Sequence, residues 1–158
     1  MCKVEWRVDW MQYNKIAAIT KQTLKSLGIH RSVYRGYDYI VNGIILLYRN
    51  KDLDFYSMKC LYIDIARECN ATVYSVERNV RTVVSNIWDY GNKKILKEIF
   101  FYIDDTKPTN REFFEDFYDY IIGQYEIVSL NENTELFFMC PITNKHCEYL
   151  CDICSKLI

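Results

Sequence analysis

Apolar positions recur at three- and four-residue spacing along most of this chain, which predicts helices rather than strands. Ile16, Ile19, Leu24 and Leu27 define a first helix over about 9–27, stopped at Gly28. A second covers about 33–49, and the polar segment "NKDLDFYS" separates it from a third over 58–69. Ser57 can cap that third helix, whose Leu61, Ile65, Ala66 and Cys69 share a face. Asn70 and Ala71 make a short turn, Thr72 is the N-cap of a fourth helix, and Gly91 ends it. Asn92 starts a fifth helix over about 93–101. In "TNRE", Thr109 and Glu112 form a capping box that opens a sixth helix through Phe113, Phe117 and Ile121. Past Gly123 the pattern changes: "YEIVSL" and "ELFFM" predict a small hairpin around "NENT", and "HCEYLCDICSKLI" returns to helical spacing. The expected fold is mainly α, a helix-turn-helix bundle of about six helices over 1–122, with a cysteine-containing acidic extension over 123–158 packed on it.

The fourth helix carries the sharpest pattern. On a wheel of about 100° per residue, Val73, Val76, Val80, Val83 and Ile87 fall in one narrow arc, which is the seam expected to be buried. Opposite lie Tyr74, Arg78, Arg81 and Ser85, with Ser75 and Thr82 on one shoulder and Glu77 on the other. Arg, Ser, Thr and Tyr are the side chains that reach phosphate oxygens and base edges.

Composition narrows the class. The chain has 158 residues, one ordinary domain, and half of them are hydrophobic with few Gly and Pro, so collagen-like and disordered classes are excluded. The longest apolar run, "YIVNGIILLY" at 39–48, is about half of the roughly 20 residues a membrane span needs, and reads as a core helix. The N-terminal "MCKVEWRVDWMQ" has no apolar stretch of the kind that directs export, so a cytoplasmic location and reduced thiols are expected for the seven cysteines. The net charge of −1 hides an asymmetry: residues 1–36 sum to +5, 37–58 to −1, 59–98 to +2 and 99–158 to −7. A basic front half suits a polyanion, and an acidic tail suits solvent or another protein.

Two consecutive helices with a turn of about three residues, the second exposing two arginines one turn apart, match a helix-turn-helix that reads double-stranded DNA. Arg78 can place two parallel N–H donors on guanine O6 and N7, Glu77 can accept from a cytosine amine or orient an arginine, and Arg81 can hold the next base or a phosphate. Tyr74, Ser75, Thr82, Ser85, Lys59, Arg35, Lys93 and Lys94 complete the expected DNA-contacting set. The competing reading of Glu77, Arg78 and Arg81 is a merely solvated helix face.

Five words extend the pattern: "RGYDY" (35–39), "LYIDIA" (61–66), "VERNVR" (76–81), "WDYGN" (88–92) and "KPTNREF" (107–113). In this order and spacing, the chain from about Leu27 to Ile121 resembles the C-terminal effector domain of the master response regulator of sporulation initiation in endospore-forming bacteria. The resemblance implies an all-helical domain of about six helices, with the helix bearing the Val-Glu-Arg word in the major groove of a short operator box. It implies base-reading roles for Glu77 and Arg78 and a DNA contact for Arg81. Full-length regulators of that family carry a phosphoacceptor receiver domain first; only some 26 residues precede the match, so control by a receiver within this chain is not expected. Ile63 stands where the family has proline, Ser75 where it has a basic residue, and Thr82 where it often has histidine, so operator preference does not transfer directly.

In "CPITNKHCEYLCDIC", Cys140, Cys147, Cys151 and Cys154, with His146 nearby, suit tetrahedral zinc, although a second CxxC is missing. Cys147, Cys151 and Cys154 also fall at i, i+4 and i+7, as small residues packed on one helix face do. Zinc, packed thiols and redox chemistry all stay open; no other cofactor is expected. Cys60 and Cys69 are assigned to the core. Phe100, Phe101, Phe113, Phe114 and Phe117 form either core or an association surface. No Gly-rich phosphate loop, HExxH or nucleophile elbow is present, so an enzyme is not expected. The expected function is sequence-specific transcription regulation, with double-stranded DNA as partner, homodimerisation on DNA, contact with RNA polymerase or a related regulator, and no membrane. The alternative is a module that binds a full-length regulator or RNA polymerase without reading DNA.

Overall fold

The computed structural model describes residues 5–51, 56–100 and 106–137, and side chains over 10–51, 56–100 and 106–130. Six helices and no strand lie among the described residues: α1 Glu5–Ser26, α2 Gly36–Arg49, α3 Met58–Glu68, α4 Val73–Tyr90, α5 Lys93–Ile99 and α6 Asn110–Phe137. The chain divides into two units, Met1–Ile122 and Gly123–Ile158.

Short polar side chains start α3 to α6. The Ser57 hydroxyl accepts from the Cys60 amide, Thr72 from Ser75 and the Asn92 side chain from Lys94. At α6 the box closes both ways: the Thr109 amide donates to Glu112 Oε2 at 2.7 Å and the Glu112 amide to Thr109 Oγ1 at 3.3 Å. Left-handed residues stop two helices. After α1, Gly28 has φ +85°, and the amides of Gly28 and Ile29 turn back to the carbonyls of Lys25 and Leu24. After α3, Asn70 has φ +49°, and the amides of Asn70 and Ala71 close the same way on Arg67 and Ala66.

Helix α2 is the centre of the first unit, packing against α1, α3 and α4, with Ile40, Val41, Ile44 and Leu46 buried. Two of its glycines mark close approaches. A Cβ on Gly36 would stand 2.5 Å from the Asn79 carbonyl oxygen of α4, and one on Gly43 would stand 2.6 Å from the Phe114 ring. The phenylalanines of α6 close the core: Phe113, Phe114 and Phe117 are fully buried, Phe113 stacks on Phe117 at 5.1 Å, and Phe100 meets Phe113 at 5.8 Å. These aromatics, Phe101 apart, which lies outside the described residues, are core and not an exposed association surface.

Several boundaries differ from the sequence reading. The second helix starts at Gly36, not near residue 33, because the amides of Val33 and Tyr34 fold back onto the His30 carbonyl as a turn. The hairpin expected after Gly123 is replaced over residues 125–137 by the continuation of α6. The capping box nucleates that helix, and no proline interrupts it, so each further residue adds a hydrogen bond at little cost, whereas an isolated two-stranded hairpin is marginal in water. Cys60 is exposed rather than core, since the first turn of α3 faces solvent there; Cys69 is half-buried and accepts from Asn42 Nδ2. The expected helix over 146–158 lies outside the described residues.

Candidate nucleic-acid interface

Between α3 and α4 the chain turns within the residues Cys69 to Thr72, where Asn70 has a left-handed backbone. Thr72 then caps α4, its Oγ1 accepting from the Ser75 amide at 3.1 Å. Val76, Val80, Val83, Val84 and Ile87 are buried, so the seam holds α4 against the bundle by the hydrophobic effect. Val73 departs from the expected arc: it is 40% exposed, because the first turn of α4 precedes the packed stretch, and Val84 takes its share of the seam.

The opposite face is open. Tyr74 is 72% exposed, and Arg78 is exposed with no ion pair among the described residues. Arg81 is exposed too, but its Nη2 lies 2.7 Å from Glu77 Oε1, one turn back. Glu77 therefore orients an arginine in the free protein. Ser75 is half-buried and close to Asn79 Nδ2 at 3.3 Å; Thr82 Oγ1 donates to the Arg78 carbonyl at 3.0 Å, which turns its hydroxyl along the helix.

One side of that face is walled by the segment leading into α6. Asn110 Nδ2 donates to the Glu77 carbonyl at 3.3 Å, and Lys107 Nζ donates to Ser85 Oγ at 3.1 Å, so residues 107–110 run alongside the row Glu77, Arg81, Ser85. Between them lies an open hollow of about 410 Å³, bordered by Tyr62, Arg81, Lys107, Asn110 and Arg111. Burial pushes the Tyr62 phenol above its ordinary value; the Asn110 hydrogen bond opposes that, Glu77 adds to it and Arg81 lowers it.

The remaining expected contacts are spread out. Arg35 is exposed and precedes Gly36, which lies against Asn79, so it sits beside the middle of α4. Lys59 is exposed in the first turn of α3. Lys93 is committed to the end of α4: its ammonium donates to the Trp88 carbonyl and lies 5.6 Å from the Trp88 ring centre. Lys94 is exposed. Lys107, Asn110 and Arg111 were not singled out from sequence, although "KPTNREF" contains all three, because only the fold carries that word to the flank of α4.

The zinc candidates Cys140, Cys147, Cys151 and Cys154 lie outside the described residues. Among the described residues no group of three or more His, Cys, Asp or Glu is arranged to hold a metal, and no helix is long and apolar enough to cross a membrane.

The family model described as sporulation initiation factor Spo0A C terminal matches residues 20–121. The chain belongs to this family. The Spo0A C-terminal family consists of DNA-binding effector domains of transcription regulators, not of enzymes. Its match takes in the end of α1, all of α2 to α5 and the opening turns of α6. The open face of α4 and the 107–110 wall both lie inside it.

Proposed function

We propose that this Spo0A-type domain is a sequence-specific transcription regulator that inserts α4 into the major groove of double-stranded DNA. Arg78 reads guanine through O6 and N7, Glu77 accepts from a cytosine amine or steers Arg81, and Tyr74, Ser75, Thr82 and Ser85 line the groove. Arg35, Lys59 and Lys94 meet the flanking phosphates, and Lys93 joins them once it leaves Trp88. A DNA-reading role puts its action in the cytoplasm. The observation that carries the reading is Arg78, exposed and without an ion pair among the described residues, on the face opposite the buried Val76, Val80, Val83 and Val84.

Selection of bound sites from a random duplex library at two salt concentrations tests this directly. A defined operator is expected. Arg78→Ala should weaken binding to it by about 1–3 kcal/mol and relax preference at one base pair. Equal losses on operator and random duplex would refute base reading by Arg78.

A second reading, a module that binds a full-length regulator or RNA polymerase without reading DNA, is favoured by the −7 charge of residues 99–158. Absence of any duplex binding, with co-purification of such a partner, would select it.

A further inference from the structure

The hollow beside α4 has an uneven charge. Arg81, Lys107 and Arg111 border it against one carboxylate, Glu77. Each cation is held by a solvent-facing partner that an anion can displace: Arg81 by Glu77 at 2.7 Å, Lys107 by Ser85 at 3.1 Å, and Arg111 Nε by Glu115 Oε1 at 2.7 Å. The hydroxyl of half-buried Tyr62 supplies a further donor. The amides of Thr109 and Glu112 are already taken by their own capping box, and the cationic side chains do the holding.

We propose that this hollow is a phosphate-binding subsite, in which Arg81, Lys107 and Arg111 close on one phosphate of the DNA backbone. The proposal rests on the reading of α4 as the groove-entering helix and divides its two arginines by task. Arg78 discriminates bases, whereas Arg81 belongs to a grip shared with the segment before α6. The Asn110 bond to the Glu77 carbonyl keeps that segment in register with α4, so grip and reader move as one body. Lys107 lies level with Ser85, two turns beyond Glu77, which lets the two elements approach the same strand from one side.

The test compares the full chain with the double variant Lys107→Gln/Arg111→Gln and with Lys21→Gln, an exposed cation of α1. Binding to operator and random duplex is measured across salt. The double variant should weaken both duplexes by the same factor, keep the operator preference, and lower the slope of log affinity against log salt by about 0.9 for each phosphate no longer neutralised. A slope unchanged from the parent, or lowered no more than in Lys21→Gln, overturns the proposal. Inorganic phosphate, followed by amide shifts at residues 107–111, separates the two sources of this chemistry. Shifts in the parent that vanish in the double variant support the subsite even if no duplex binds, in which case the reading of α4 fails and a free phosphate is the ligand. No response to phosphate and none to duplex overturns it.

Discussion

Arg81 and Glu77 form an ion pair along α4, with 2.7 Å between Nη2 and Oε1 and both side chains open to solvent. The carboxylate neutralises the guanidinium one turn on and leaves Arg78, three residues before Arg81, as the cation of that stretch with no ion pair among the described residues. A glutamate in a DNA-facing position repels phosphate, so its removal separates two effects. Glu77→Gln should change folding stability by less than about 0.5 kcal/mol, the scale of an exposed pair one turn apart. It should raise affinity for random duplex and reduce the ratio of operator to random affinity. Fluorescence anisotropy on both duplexes reads that ratio; an unchanged ratio would leave Glu77 with an electrostatic role alone.

Asn70 holds the turn between α3 and α4 at φ +49°. Asparagine tolerates this region better than alanine, so Asn70→Ala should destabilise the fold by about 1 kcal/mol, and Asn70→Gly should not. Urea unfolding of the three proteins measures the difference, and a stable alanine variant would show that the turn has another solution.

Gly36 brings the start of α2 against the backbone of α4. A methyl group there meets the Asn79 carbonyl oxygen at 2.5 Å and Val83 Cγ2 at 2.7 Å, and a backbone carbonyl cannot rotate aside. Gly36→Ala should destabilise by about 1–3 kcal/mol through overpacking, and should also weaken duplex binding because the displaced element is α4. Thermal unfolding and anisotropy together check both halves.

Glu112 in the α6 capping box has its carboxyl held below the ordinary glutamate value, first by the Thr109 amide and then by the Thr109 side chain. A depressed folded-state value stabilises the fold above the unfolded-state value, and that contribution is lost as pH falls through the folded-state value. Glu112→Gln should therefore melt below the parent at neutral pH, and the gap should shrink as pH is lowered beneath the usual carboxylate range. Melting temperatures at pH 7 and pH 3 decide it; a constant gap would remove the charged form from the cap.

The valine seam and the caps were legible in the sequence because they are local. Thr72, Asn92 and the Thr109–Glu112 box each act within three residues, and a helical stripe shows as spacing before anything packs on it. Hence α4 was expected and found between Thr72 and Gly91, with Tyr74, Arg78 and Arg81 turned outward. Local rules failed where two local options were close in energy. "YEIVSL" has strand propensity, yet it follows a nucleated helix and continues it. Val73 has the right spacing for the seam but sits a turn before the packing begins.

By itself, the order of residues determined the helices of the matched region, the face of α4 that carries arginines, and, through five short words, the family to which the chain belongs. Tertiary structure alone decided what stands beside that face. Asn110 meets Glu77 across 33 positions and Lys107 meets Ser85 across 22, and no periodicity encodes a contact between elements so far apart in the chain. Such pairs follow from burying Phe113, Phe114 and Phe117 in the core, with Phe114 against Gly43 of α2, which brings the start of α6 to α4 as a consequence of packing and not of any local preference.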